Sequence, residues 1–375
     1  MPVEFVGFLH YNESSESLAP QGPVVQPDFI KAFARAQEEG DFDKALIAYS
    51  SASGDGFLVA QYAAAFTERL GLLVAHRPGF VAPTVAARKF ATLDHLSGGR
   101  ASVNIISGGN DVEQRRDGDY LSHDERYERT GEFIDILKET WTSEAPFSHE
   151  GKYYRFEDNV SSVRPIQKPH IPVFFSGSSD AAVEVGARTA DTYMLWAESL
   201  AGTREQLDRI RAAEARYARP NPLRFSLSVR PIIAPTEAQA WARAEEILGE
   251  ARALQAKGAA IFGRRDRPGH PQNVGSIRLL ETAAQGKVVD KRLWTEIAQL
   301  TGAGGNSTAL VGTPEQVAES LLDYYDLGID TILIRGFNPL QDAKDYGREL
   351  IPLVRAEVAR RDGEKNATPR AAHAG

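Results

Sequence analysis

The residues with the clearest chemical meaning are Ser176-Gly177-Ser178-Ser179-Asp180-Ala181-Ala182, set between an apolar run and an amphipathic segment. Small residues let the backbone approach an anion, hydroxyls donate to it, and a helix N-terminus adds unpaired N–H groups, so a phosphate fits this turn. The same residues also read as an ordinary serine N-cap. Tyr127, one turn into the helix expected after His123, can add a hydroxyl. Asn104 and the turn Ser107-Gly108-Gly109 place further polar groups at the end of another apolar run. Arg77, Arg230 and Arg335 also end apolar runs, and three arginines on one rim would bind an anion by forked hydrogen bonds; taken singly, each is explained by a salt bridge. Trp196 brings a flat face and a polar N–H to the same kind of position. His10 and His76 follow apolar runs too, and an imidazole there can serve as proton donor or base, or simply hydrogen-bond.

Other chemistry is excluded or disfavoured. There is no cysteine, which removes thiolate catalysis, thiolate metal sites and disulfides. The eight histidines form no HxH or HExxH pattern, so no metal is expected. Gly302-Ala303-Gly304-Gly305-Asn306-Ser307 has serine where a dinucleotide fingerprint needs its last glycine, and no clear strand precedes it. No GxSxG elbow is present. A formal charge of −8 argues against a nucleic-acid or anionic-membrane partner. With no long apolar run and no basic, apolar leader, the chain reads as a cytoplasmic protein.

The elements that must position these residues alternate. Residues 71–109 read as strand, crossover helix opened by Pro83, Gly98-Gly99 turn and second strand, a parallel α/β unit. Short apolar runs at 3–10, 44–48, 171–175, 223–233 and 329–335, and one ending in Met194-Leu195-Trp196, bring the strands to eight, with helices between. The pattern predicts a (β/α)8 TIM barrel, whose ligands bind at the carboxyl ends of the strands. A hairpin is expected over 148–157 and a lid over 258–305, basic around Arg264, Arg265 and Arg267. One domain covers 1–355, and 356–375 reads as a disordered tail.

Five stretches together resemble the bacterial-luciferase-like flavin-dependent monooxygenases, and within them the two-component alkanesulfonate monooxygenases: RPGFVAPTVAARKFATLDHLSGGRASVNIISGG (77–109), DGDYLSHDERYE (117–128), GSSDAA (177–182), YMLWAE (193–198) and TALVGTPEQVAESL (308–321). The resemblance runs through most of residues 3–355 and implies reduced FMN, delivered by a separate NAD(P)H-dependent reductase, with O2 as co-substrate and a self-associating chain, a dimer or tetramer. It implies that Tyr127, Gly177, Ser178 and Ser179 meet the FMN phosphate, that Asn104, Ser107 and Gly108 lie against the isoalloxazine, and that Trp196 lines the substrate side. That branch has cysteine where this chain has Ser53, arginine and histidine where it has Ser228 and Arg230, tyrosine where it has Phe337, and a lid arginine near Ala303. Arg230 and Arg335 then suggest relocated positive charge and a small polar or anionic substrate, sulfonate-like or another C–S or C–N compound. Two other readings fit the same fold: a deazaflavin (F420)-dependent hydride-transfer enzyme, and a non-catalytic flavin-binding or sensing protein.

Overall fold

The computed structural model describes residues 2–257, 271 and 273–371. In chain order the strands are β1 (Glu4–Phe8), β2 (Lys44–Ile47), β3 (Gly71–His76), β4 (Ala101–Ile105), β5 (Phe147–Glu150), β6 (Arg155–Asn159), β7 (Val173–Ser176), β8 (Thr192–Trp196), β9 (Arg224–Ile233), β10 (Val288–Val289), β11 (Leu293–Trp294), β12 (Ala309–Gly312) and β13 (Thr331–Ile334). Parallel pairing runs β1-β2-β3-β4-β7-β8-β9-β13 and returns to β1, so eight strands close a barrel that has no free edge. This is the (β/α)8 TIM barrel that the spacing of the apolar runs predicts. Strands β5 and β6 form the expected hairpin outside it.

The helix Pro83–Leu96 shows why the crossovers form. Proline sits in its first turn, where a missing N–H costs nothing, and Ala87, Phe90, Ala91 and Leu93 recur at helical spacing and are buried against the sheet. Each such phenylalanine or leucine contributes about 1.5–3 kcal/mol by leaving water. Helix Asp180–Thr189 is capped by Ser179, whose Oγ accepts the Ala182 N–H at 3.2 Å.

Alternation along the strands sorts the side chains. Val6, Leu46, Leu73, Ala75, Phe174, Met194 and Leu333 form one cluster inside the barrel, while Phe5, Leu72, Val74, Val103, Phe175 and Leu195 pack outward against the helices. At the amino ends of the strands Glu4 pairs with Lys44 at 2.8 Å and Arg224 at 3.0 Å, closing that end with charge. The opposite end carries the candidate site.

Three features depart from the sequence reading. Strand β12, with only four residues, merges in sequence with the helix opened by Pro314; it extends the far half of β9, pairing Ala309 with Arg230 through Gly312 with Ile233. A short helix, Asp111–Arg116, lies within the polar stretch after β4. A helix runs from Ile351 to Ala371, into the stretch read from composition as a tail. Arg360 and Arg361 both pair with Glu357 one turn back, and Arg361 reaches Asp326, so ion pairs hold helical a segment whose composition reads as solvated. Of the expected lid, 258–270 and 272, including Arg264, Arg265 and Arg267, lie outside the described residues; the remainder includes the helices Val274–Ala284 and Glu296–Thr301.

Candidate active site

The turn after β7 is a cradle. A Cβ added at Gly177 would lie 2.5 Å from the Ala182 Cβ and 2.7 Å from the Tyr127 hydroxyl, so only glycine leaves this backbone open. Tyr127 is buried, is hydrogen-bonded to Ser179, and is pushed up to about 12 mainly by burial, so it stays a neutral hydroxyl. Ser178 donates from Oγ to Gln206 Oε1 at 3.2 Å, and Arg209 donates to the Ser178 carbonyl at 2.9 Å while pairing with Asp180. Arg209 thus stands beside the hydroxyls and the helix N-terminus with its charge paired to Asp180; hydroxyls and terminal N–H groups are donors that a phosphate monoester can use. Arg209 lies in a helix with many charges and no motif, and sequence reasoning passed over it.

One strand away is the second feature. Asn104 lies beside Ala75 in the β3–β4 register and therefore faces the barrel interior, next to Phe174 of β7. It is 6% exposed, and its Oδ1 is buried with no hydrogen-bond partner. Such an atom carries a desolvation penalty of about 1–3 kcal/mol unless a ligand supplies a donor. Ser107 falls on the opposite face and bonds Thr130 at 2.8 Å, so only its backbone can meet a ring in the mouth. Gly108 has φ +83°, and a Cβ there would collide with the buried Gln114 amide; this turn is held to glycine twice over.

The arginines do not converge as a trio. Arg77 is held by Glu113 at 2.9 Å, with Asp117 at 3.9 Å and the Tyr49 ring 4.7 Å away, a separate ion pair. Arg230 and Arg335 do meet, through Glu16, a residue of the first strand–helix loop that no sequence signal marked. Arg230 Nη1 lies 2.5 Å from Glu16 Oε2, and Arg335 Nη2 lies 2.8 Å from Oε1. Arg230 is fully buried, stacks 3.4 Å over the centre of the Phe337 ring, and donates to the Gly336 carbonyl at 2.8 Å. Burial would raise the Glu16 pKa, but Arg230 and Arg335 outweigh it and hold the carboxyl below its usual range. Arg335 is pushed down to about 10 by burial and by Arg230. His10 lines the same recess and is pushed down to about 3 by burial and the adjacent Arg335, so it is a neutral imidazole. Ser228, facing Trp196 across the β8–β9 register, accepts from Asn306 Nδ2, a residue of the glycine-rich stretch considered above for dinucleotide binding.

His76 turns away from the mouth. It alternates with the interior residues Leu73 and Ala75 and packs outward against Phe133 at 5.4 Å, Phe90 at 5.6 Å and Phe57 at 5.9 Å. Burial pushes it down to about 4, so it is neutral as well as remote from the interior. Ser53 is engaged in its own turn, donating to the Ser50 carbonyl at 2.9 Å. Trp196 is covered by the helix Val274–Ala284: a Cβ at Gly275 would stand 3.2 Å from its ring. Arg278 of that helix binds the buried Glu198 at 2.8 Å, and Glu198 in turn accepts from Gln206 at 2.8 Å, so a chain of bonds joins this helix to Ser178. Burial raises the Glu198 pKa despite Arg278. Among the described residues no helix is long and apolar enough to cross a membrane, and no three His, Asp or Glu side chains are grouped to hold a metal.

A sequence model described as luciferase-like monooxygenase matches residues 3–331. Among solved structures, the chain is similar to riboflavin lyase with modified FMN and substrate riboflavin, at TM-score 0.79 and 20% identity over 95% of this chain and 92% of that one. It is similar to an EDTA monooxygenase from Chelativorans sp. BNC1 at TM-score 0.74 and 20% identity, over 95% and 94%. An F420-dependent secondary alcohol dehydrogenase is also similar, at TM-score 0.66 and 16% identity, over 94% and 99%. At these identities the likeness concerns the fold.

Proposed function

Because this chain belongs to the luciferase-like monooxygenase family, we propose that it is a two-component monooxygenase that takes reduced FMN from a separate NAD(P)H-dependent reductase and uses O2 to oxygenate a small polar or anionic organic substrate. The observation that carries the reading is the pairing of a turn held open by glycine at Gly177–Ser179 with the unsatisfied Asn104 Oδ1 on the neighbouring strand. Tyr127, Gly177, Ser178, Ser179 and Arg209 hold the phosphate. Asn104 meets the ring system from inside the barrel, and the backbone of Ser107-Gly108 lies along its edge. Reduced FMN, when bound, supplies the electron pair with which one oxygen atom goes to substrate and the other to water.

The protein's own part is placement and exclusion of water. Trp196, under the helix Val274–Ala284, gives the substrate side an apolar wall, and Phe337, buried beneath Arg230, supports that arginine. Arg230 and Arg335 fix a polar or anionic group, and His10, neutral at physiological pH, serves as a hydrogen-bonding partner rather than as a base. His76 has no place in this chemistry, and Arg77 and Ser53 shape the wall behind it. As part of the same reading the enzyme is a cytoplasmic homo-oligomer.

The test is anaerobic binding of reduced FMN followed by admission of O2. The protein should change the rate of flavin reoxidation relative to free FMN, and the double variant Ser178→Ala/Ser179→Ala should lose that effect. The F420-dependent relative supplies the competing reading, hydride transfer without O2. Binding of F420 with no effect on reduced FMN would establish that reading, and flavin binding without any turnover would point to a sensor.

A further inference from the structure

Residues 11–26 form a self-contained loop. Its neck is closed by the Gln26 N–H donating to the Tyr11 carbonyl at 2.8 Å, and its interior is tied by Asn12 to the Val24 carbonyl at 2.9 Å and by the Ser15 N–H to the Leu18 carbonyl at 2.9 Å. These bonds lie within the loop. Val24 and Val25 of the loop are 74% and 48% exposed, whereas Glu16 is 2% exposed and reaches between Arg230 and Arg335. Glu16 is thus the loop's buried charged contact with the barrel mouth, while Tyr11 at its neck packs on the hydrophobic core.

The donors around that carboxylate define what fits. Arg230 spends Nη2 on the Gly336 carbonyl, and Arg335 Nη2 also serves the Asn306 carbonyl. One guanidinium nitrogen of each arginine, Nη1 of Arg230 and Nη2 of Arg335, reaches the shared site, one to each oxygen of a planar carboxylate. Arg230 Nε remains buried without an acceptor. Beside the pair lies a small recess lined also by His10, Ser14 and Ser15, whose hydroxyls are engaged within the loop by Asn12 and by Ser17 and Leu18. Burial, and after it the adjacent Arg335, keeps His10 neutral there.

We propose that Glu16 is a built-in occupant of a carboxylate subsite, and that the substrate is a carboxylate whose own anionic group takes the Arg230–Arg335 pair by displacing Glu16 and its loop. This rests on the reading of the mouth as the substrate side and names the group recognised there. An internal competitor weakens apparent affinity by the fraction of time it holds the site, so removing it must strengthen binding.

Acetate is the probe, with acetamide as its uncharged match at equal ionic strength. In the wild type, acetate and not acetamide should raise hydrogen exchange across residues 11–26. Glu16→Gln should bind acetate at least about tenfold more tightly by calorimetry, and Arg230→Met should lose it. Loop exchange that acetate leaves unchanged, or a Glu16→Gln protein that binds acetate no better than wild type, overturns the proposal in favour of a permanent counter-ion. If Glu16→Gln does not fold, the wild-type exchange result decides. Reduced FMN is titrated in parallel: its failure to bind strikes the flavin reading and leaves the acetate result standing.

Discussion

Replacing Arg230 by methionine keeps much of the packing volume against Phe337 and removes one of two cations from Glu16. Breaking a buried ion pair by deleting one partner costs about 3–5 kcal/mol, because the remaining charge stays buried. Arg335 continues to hold Glu16, so the expected loss lies near the lower end, about 3 kcal/mol. Glu16→Gln alone leaves two guanidinium groups facing each other and should cost about 4 kcal/mol. The double variant removes one charge of each sign; its loss should be about 3–4 kcal/mol rather than the sum of about 7, a coupling of roughly 3 kcal/mol. Urea unfolding followed by circular dichroism measures all four corners of this cycle. Glu16 also fixes the pH behaviour. Its folded pKa is depressed, so it contributes stability that is present above the unfolded value and lost as pH falls through the folded one. Arg230→Met reduces that depression, so the gap between wild type and variant should narrow as pH falls below about 4. Losses that add within about 0.5 kcal/mol would show that Arg230 and Glu16 are not coupled, and the account of the barrel mouth would fail.

Gly177→Ala should weaken reduced-FMN binding more than about tenfold while the protein stays folded, because the added methyl falls on Tyr127 and Ala182 at the cradle; unchanged quenching of flavin fluorescence would refute the phosphate assignment. Asn104→Leu should remove a buried unsatisfied oxygen and raise stability by about 1 kcal/mol while lowering oxygenase turnover, and lost stability with unchanged turnover would contradict its place against the ring. His76→Phe should leave the pH profile of turnover unchanged. It should also abolish an acid-side stability loss of up to about 3 kcal/mol, since a histidine held at about 4 contributes stability that disappears as pH falls from its unfolded value near 6.5. Arg278→Met should raise hydrogen exchange in residues 274–284, and protection equal to wild type would show that the bond to Glu198 does not seat this helix over Trp196.

The fold was legible because its signals are local. Each barrel strand is an apolar run followed by a polar or glycine-rich turn, and helix-period segments such as Pro83–Leu96 fall between them; with parallel strands and crossover helices, closure follows. The turn proposed to hold a phosphate is equally local, since Gly177, Ser178 and Ser179 are contiguous and their neighbour Ala182 is one helical turn away. Even the inward direction of Asn104 follows from alternation once its strand is known. The orientation of His76 did not: Gly71–His76 is buried on both faces, so its hydrophobicity has no period of two to tell inside from outside. The charge partners were equally hidden. Glu16 lies 319 positions from Arg335 in a loop without periodic pattern, and Arg77 finds Glu113 rather than the other arginines because the short helix Asp111–Arg116 brings that carboxylate to it. Composition and period determine which residues line the rim. Which of them neutralise one another, and where charge is left for a ligand, is decided only when closure of the barrel brings distant loops together, because Coulomb energies depend on distance and burial rather than on order along the chain.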